Sequence, residues 1–310
     1  MKLRQLQYIC EVARRGLNVS AVAEVLHTAQ PGISTQIRLL EQELNVLIFE
    51  RNGKRLVGVT QPGMAIIQMA EKVLRKVEDI QQIGSEFSQE NAGTFSIATT
   101  HTQARYVLPN VIKTFKEKYP DVRLRIHQGN PSQISEMTLS GVADIAITSE
   151  TSQMHKALVT VACHEWDLCI ITPLDHPLTK EHPVSIESLA RYPLVTYDYA
   201  FTGRSLINKA FTKQGLMTNM ALTAMDSDVI KSYVELGLGV GILAKMAYDP
   251  ERDTRLQAMD ASHLFESSTT HIGIVKGKYL RRYMYTFIEL FAPHLTREAV
   301  DMAMNKDTMN

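Results

Sequence analysis

The chain has 310 residues, 45% hydrophobic and 21% charged, and its 33 Lys+Arg balance its 33 Asp+Glu. That length predicts two or three domains, and that composition excludes a disordered polymer. No apolar run reaches the roughly 18 residues of a membrane span, and Met1 to Arg15 lacks the apolar core and cleavage site of a signal peptide, so a cytoplasmic protein is expected.

Met1 to Arg15 predicts an opening helix with Leu3, Leu6, Ile9, Cys10 and Ala13 on its apolar face. Cys10 is read as a core residue, and the three cysteines, Cys10, Cys163 and Cys169, fit a reducing compartment. Leu17 to Leu44 reads as two short helices joined by a tight turn. The first is apolar at Val19, Val22, Ala23 and Leu26, with Asn18 or Ser20 able to cap it. The second starts at Pro31, which a first helical turn tolerates, and buries Ile33, Ile37, Leu40 and Leu44. Its other face carries Gln30, Ser34, Thr35, Gln36 and Arg38, groups suited to base edges and phosphates. A helix about 10–12 Å across fits a B-DNA major groove about 12 Å wide, so this second helix is the expected reader.

Glu50 to Arg55 (ERNGKR) is a basic turn between Ile48-Phe49 and Leu56-Val57, and its Asn-Gly pair suits a hairpin. It reads as a wing beside the two helices. Met1 to Thr60 holds eight Lys/Arg against five Asp/Glu, a net +3, which leaves −3 on the rest of a neutral chain. That asymmetry suggests a nucleic-acid-binding head on a non-binding body. Expected DNA contacts are Ser20, Gln30, Pro31, Ser34, Thr35, Arg38, Arg51, Lys54 and Arg55.

Thr60 and Pro62 open a long helix to about Phe87. Ile66, Ala70, Val73, Val77, Ile80, Gly84 and Phe87 recur along it as a heptad-like seam. Such a rod, roughly 40 Å long, is read as a dimerisation helix spacing two DNA-binding heads. Ser88 to Gly93 marks a linker.

From Thr94 strands and helices alternate. Strands are predicted at Phe95–Thr99, Val122–His127 and Ala143–Thr148, with a helix from Thr102 or Arg105 to Lys118, interrupted near Pro109, and another over Pro131–Leu139. This βαβαβ order predicts a parallel, doubly wound sheet. Val159 to Ile171 is one long strand or a strand pair. Strands at Leu194–Tyr197, Ala221–Ala224 and Val240–Leu243 alternate with helices at Ser205–Gln214 and Asp228–Leu236, and a strand, His271–Val275, precedes a final helix, Tyr279–Phe291. Two subdomains are implied, with crossovers near Cys163–Trp166 and Phe265–Thr269.

One set of motifs narrows this further. Ala23-Glu24, Thr28-Ala29-Gln30-Pro31-Gly32-Ile33-Ser34, Ile37, Leu40-Glu41, Leu44, Leu47-Ile48-Phe49, Arg51, Thr60 and Gly63 together resemble the LysR-type transcriptional regulators. Thr99 to Tyr106 (TTHTQARY), Tyr192 to Tyr197 (YPLVTY), Phe201 to Ser205 (FTGRS) and Ala292 to Arg297 (APHLTR) are similar to the CysB-type subgroup, which regulates sulfur assimilation and cysteine synthesis. Thr35 departs from that pattern, a basic residue being usual there. The resemblance covers nearly the whole chain. It implies an α+β protein with a winged helix-turn-helix over residues 1–59, a linker helix over 60–90 and an α/β effector domain over 91–310. That domain would resemble periplasmic solute-binding proteins, with subdomain I at about 91–163 and 268–310 and subdomain II at about 164–267.

The expected ligand site lies where strands end and helices begin. Thr99 to Gln103 closes one strand, Thr148-Ser149 another, and Phe201-Thr202-Gly203 opens a helix. Backbone N–H groups at helix starts and clustered hydroxyls favour an anion, although Thr and Ser cap helices for purely structural reasons too. The resemblance implies effector contacts at Thr100, Thr102, Gln103, Ser149 and Thr202, with Ser149 replacing a family Thr. It also implies N-acetylserine or O-acetylserine as inducer, with no cofactor, and sulfate as a second occupant of the site. Promoter DNA, a dimer or homotetramer and RNA polymerase are the implied partners. Arg204 is read as a source of charge for the cleft or equally a surface residue.

Gly237-Leu238-Gly239-Val240-Gly241 is not a dinucleotide loop, since its helix precedes the glycines; Gly237 reads as a helix C-terminal glycine. No metal-ligand spacing and no nucleophile–base constellation appear, and His101 reads as a hydrogen-bonded pocket histidine. The expected function is a transcriptional activator, not an enzyme. Its rivals are a paralogue for sulfonate or sulfate starvation sensing adenylyl sulfate and, more distantly, a binding protein or enzyme built on the solute-binding body.

Overall fold

The computed structural model describes residues 1–53, 55–88, 92–149 and 154–306. Two compact units emerge, Met1–Ser88 and Gln89–Asn310.

In the first unit, α1 (Leu3–Arg14), α2 (Val19–Val25) and α3 (Gln30–Leu44) share one core. Leu6, Ile9 and Val12 of α1 meet Val22 of α2 and Ile33, Ile37 and Leu40 of α3. Burying a side chain of this size stabilises the fold by about 1.5–3 kcal/mol, so this stripe sets the orientation of α3. Asn18 caps α2, its Oδ1 accepting the Ala21 N–H at 3.1 Å. Leu44 stands 36% exposed, outside the core, and Glu41 takes the buried place in the last turn of α3. The wing is β1 (Phe49–Asn52) paired antiparallel with β2 (Arg55–Val59), and Gly53 holds φ +62 at the turn. Lys54 lies outside the described residues.

The rod is α4 (Gln61–Ser88), 28 residues. Thr60 Oγ1 accepts the Gly63 N–H at 2.9 Å and donates to the Leu47 carbonyl at 2.6 Å. α4 has two apolar faces. Ile67 and Ala70 are buried in the head core, with Ile66 and Leu74 beside them. Met69, Val73 and Ile80 are exposed. The seam read from the sequence thus splits: Ile66 and Ala70 serve the head, and Val73 and Ile80 face outward. The side chain of Phe87 lies outside what is described.

The second unit holds two five-stranded sheets. The first contains β3 (Gly93–Thr99), β4 (Val122–Gln128), β5 (Ile145–Thr148), β6 (Leu158–Trp166) and a strand late in the chain, Ser268–Val275, in the order β4-β3-β5-late strand-β6. A π-helix, Gln103–Val107, leads from β3 into α5 (Leu108–Lys118), and α6 (Pro131–Leu139) follows β4. The predicted interruption near Pro109 is this π-helical turn.

The second sheet contains β7 (Leu168–Pro173), β8 (Leu194–Tyr197), β9 (Met220–Ala224), β10 (Val240–Ala244) and β11 (Leu256–Asp260), in the order β11-β7-β10-β8-β9. Around it lie α7 (Ile186–Leu189), α8 (Thr202–Lys213) and α9 (Ser227–Glu235). The late strand is β12, and α10 (Arg282–Phe291) and α11 (Arg297–Lys306) end the described chain.

The parallel pattern holds for β3, β4 and β5 and for β8, β9 and β10. β12 runs antiparallel to β5 and β6, and β7 antiparallel to β10 and β11. The reason is connectivity. The chain leaves the first sheet at Trp166, starts β7 in the second at Leu168, and returns between Asp260 and Ser268. A strand arriving from the other sheet needs no βαβ crossover, so nothing forces it parallel. Alternation along Val159 to Ile171 could not show that break at Asp167.

Gly237 follows α9 with φ +78, a left-handed C-terminal glycine. α11 was not expected from the sequence; it buries only Val300 and Met304, a weak periodic signal. Among the described residues no helix is long and apolar enough to cross a membrane.

Candidate functional site

The head presents one polar surface because its apolar stripe is committed inward. With Ile33, Ile37 and Leu40 buried, Gln30, Pro31, Thr35 and Arg38 of α3 are exposed and Ser34 is half-buried. Ser20 on α2 and Arg55 on the wing are exposed as well. Arg51 differs. Its Nη2 bonds Glu41 Oε2 at 2.9 Å, so its charge is engaged inside the head. Glu41 Oε1 also accepts the backbone N–H groups of Ile48 and Phe49 at 3.0 and 3.1 Å. One buried carboxylate therefore ties the wing to the end of α3.

In the second unit, strand ends from both sheets meet around one small cavity. Thr100, Thr102 and Gln103 follow β3, and Thr148 and Ser149 close β5. Trp166 ends β6, Tyr197 ends β8, Ala244 ends β10 and Met246 follows it. Phe201, Thr202 and Gly203 open α8. All five effector positions named from the sequence, Thr100, Thr102, Gln103, Ser149 and Thr202, line this cavity. No charged side chain lines it among the described residues.

The hydroxyls that stay out of the cavity are used as struts. Thr99 Oγ1 donates to the Ile147 carbonyl at 3.1 Å, and Thr196 Oγ1 to the Ile242 carbonyl at 2.7 Å. Each lashes a strand to the central strand of its sheet, β3 to β5 in the first and β8 to β10 in the second. Within the cavity, Trp166 Nε1 donates to Ser149 Oγ at 2.8 Å and Gln103 Nε2 to Thr270 Oγ1 at 3.0 Å. Thr202 Oγ1 and Gln103 Oε1 are buried without a partner. Tyr197 OH receives the Ala244 N–H at 3.0 Å and pairs with Ser227 Oγ at 2.8 Å; burial raises its pKa. Trp166, Tyr197, Ala244 and Met246 were not singled out from the sequence. Their strand-end positions were the available signal, since only topology brings those ends together.

Residues 3–64 match the family described as bacterial regulatory helix-turn-helix protein, lysR family, and residues 88–296 match the LysR substrate binding domain. The chain belongs to the LysR family. This LysR-family chain is 49% identical over 303 residues to the HTH-type transcriptional regulator CysB of Haemophilus influenzae, covering 98% of this chain and 94% of that one. It is 47% identical over 300 residues to the HTH-type transcriptional regulator SsuR of Burkholderia cenocepacia, covering 97% of each. The solved cofactor-binding domain of the Cbl transcriptional regulator is 42% identical, with a TM-score of 0.66, over 69% of this chain and 93% of that one. The chain is accordingly a transcriptional regulator and not an enzyme.

In this LysR-family body the two sheets also touch beside the cavity. Thr102 Oγ1 lies 3.5 Å from Ser227 Oγ, and Tyr106 OH donates to Asp228 Oδ1 at 2.5 Å. Arg105 and Lys231 reach the same carboxylate at 3.4 Å each, and His101 Nε2 stands 3.9 Å away. Burial alone would raise Asp228, but the Tyr106 hydrogen bond and the Lys231 and Arg105 charges hold its pKa below the ordinary value. Burial and the neighbouring Asp228 push the Tyr106 phenol upward. His101 therefore joins an inter-sheet polar cluster. Burial pushes the thiols of Cys10, Cys163 and Cys169 up to about 12, so all three are packing groups rather than nucleophiles. Among the described residues no group of His, Cys, Asp or Glu could hold a metal ion. Arg204 is 2% exposed, so the surface alternative for it is wrong.

Proposed function

We propose that this LysR-family regulator binds promoter DNA of sulfur-assimilation and cysteine-synthesis genes and acts there as a cytoplasmic activator. Its inducer is N-acetylserine or O-acetylserine, and sulfate-like anions take the same cavity. Residues 1–59 read DNA, 60–90 pair two subunits, and 91–310 sense the ligand, in a homotetramer that engages RNA polymerase. The observation that carries this reading is the cavity. Hydroxyl and amide groups from the ends of both sheets converge on it, and no charged side chain lines it among the described residues. A small polar metabolite with one anionic group matches such a lining, because hydroxyls and helix-start N–H groups can hold an oxyanion without a formal charge.

Thr100→Val removes one hydroxyl and keeps the shape. The inducer response, measured by transcription from a sulfur-gene promoter, is expected to vanish while the gel shift on that DNA is unchanged. A variant that answers at wild-type inducer concentration contradicts the assignment. A second reading, a regulator of sulfonate or sulfate-starvation genes answering to adenylyl sulfate, is favoured by one observation: relatives named SsuR and cbl match this chain nearly as well as those named CysB. Calorimetric titration with N-acetylserine and with adenylyl sulfate separates the two.

A further inference from the structure

Arg204 is the one buried residue of the Phe201–Ser205 motif that neither the cavity lining nor the hydrophobic core accounts for. It lies in the first turn of α8, next to Thr202 and Gly203, which line the cavity. It is 2% exposed, the largest of the fully buried side chains. Its Nη2 donates to Tyr199 OH at 3.2 Å, and its guanidinium stacks 4.6 Å from the Tyr199 ring centre. Nε and Nη1 have no hydrogen-bond partner, and no carboxylate among the described residues pairs with it. A guanidinium cannot shed its proton to escape this position, as a buried Lys or His can. The charge is therefore permanent and uncompensated within the described chain.

Two features beside it point to a ligand. Phe201 occupies the N-cap of the 12-residue α8 and makes no side-chain cap; the Arg204 N–H bonds the Phe201 carbonyl at 3.0 Å, which leaves the Thr202 and Gly203 N–H groups to what enters the cavity. Gln103, 3% exposed, lines the same cavity with Oε1 unpartnered. The placement of α8 is also tight. A Cβ on Gly203 would meet Tyr197 Cδ2 at 2.8 Å, so the helix start is pressed against the end of β8.

We infer that Arg204 is a specificity-determining residue: its buried charge, acting through the first turn of α8, makes the cavity select ligands that carry a negative charge, and the bound anion is its counter-ion. The inference rests on the cavity being the effector site. The ligand class follows from it. An acid or oxyanion is preferred over the isosteric neutral ester or amide, although no charged side chain lines the cavity among the described residues.

The test is calorimetric titration of the full-length protein with three probes: inorganic sulfate, N-acetylserine, and the uncharged methyl ester of N-acetylserine. Arg204→Gln keeps a planar polar group and removes the charge, and Arg204→Lys supplies an ammonium that a bound anion holds in its charged form. Arg204→Gln is expected to weaken sulfate and N-acetylserine by about tenfold or more, while the ester binds as to wild type. Arg204→Lys is expected to restore most of the loss. Ligand-free Arg204→Gln is expected to melt no lower than wild type, since it sheds an uncompensated buried charge. Equal loss of all three probes, or a fall in melting temperature that Arg204→Lys does not rescue, overturns the inference in favour of a structural role. Unchanged sulfate binding overturns it as well. Thr100→Val run alongside separates the two levels. If Thr100→Val loses the anion and Arg204→Gln does not, the site stands and the role of Arg204 falls. If neither variant changes binding, or wild type binds no probe, both fall.

Discussion

Glu41 shows how much one side chain can organise in a small head. A buried carboxylate is costly unless its oxygens are filled. Here they are filled by two backbone N–H groups and a guanidinium, at 2.9 to 3.1 Å. Two of those donors lie on β1 and the third, the Ile48 N–H, immediately before it, so the carboxylate fixes where the hairpin stands relative to α3. Glu41→Ala leaves the Ile48 and Phe49 N–H groups and the Arg51 charge without their partner. It is expected to destabilise the head by about 3 kcal/mol, and Glu41→Gln by less, because the amide oxygen still accepts. Chemical denaturation followed by circular dichroism measures both, and an Ala variant as stable as wild type contradicts the account. A neighbouring constraint is steric. A Cβ on Gly63 would lie 2.1 Å from the Ile48 carbonyl oxygen, which fixes how closely α4 begins against the wing. Thr60 and Gly63 were legible as letters of a motif. The need for glycine was not, because the Ile48 carbonyl reaches that point only through the hairpin.

Among the elements, α4 carries the most consequence for assembly. At about 1.5 Å per residue, its 28 residues extend well past what a three-helix core can cover. Ile67 and Ala70 satisfy the head, while Ile80 stands 68% exposed on a helix otherwise rich in charge. The apolar stripe that its own unit leaves uncovered is the surface on which the proposed pairing with a second copy would take place. Ile80→Glu is expected to lower the assembly state, measured by light scattering, while helix content by circular dichroism is retained. An unchanged mass distribution removes α4 from the dimer contact. α3 was legible as a helix with one buried face because Ile33, Ile37 and Leu40 repeat at helical spacing and all are buried. β12 was legible as a strand, but its direction was not, since alternation carries no sign and its neighbours β5 and β6 are more than 100 residues earlier in the chain. Arg204 was half-legible: the sequence offered its charge, and only the packing of α8 shows that the charge is buried and unpaired.

At the scale of the whole molecule, the cavity is a joint. Thr100, Thr102, Gln103 and Ser149 come from one sheet, and Tyr197, Thr202 and Ala244 from the other. A ligand touching both sets links the sheets, as Tyr106 and Asp228 do beside it. Such a ligand shifts the protein only by binding one arrangement of the two sheets more tightly than another, and that differential is what DNA-bound subunits can register. The candidate site was legible as a region, because strand ends and helix starts mark such places in the sequence; its five hydroxyl or amide residues were legible only through the family resemblance. Trp166 and Met246 were not, because which strand ends face each other is a property of the two-sheet topology. The most direct measurement is a footprint of the full-length protein on sulfur-gene promoter DNA, with and without N-acetylserine, for wild type and Thr100→Val. The account predicts protection in every lane, with a change in its extent on adding ligand to wild type alone. A wild-type footprint indifferent to ligand, or a Thr100→Val footprint that shifts as wild type does, contradicts it.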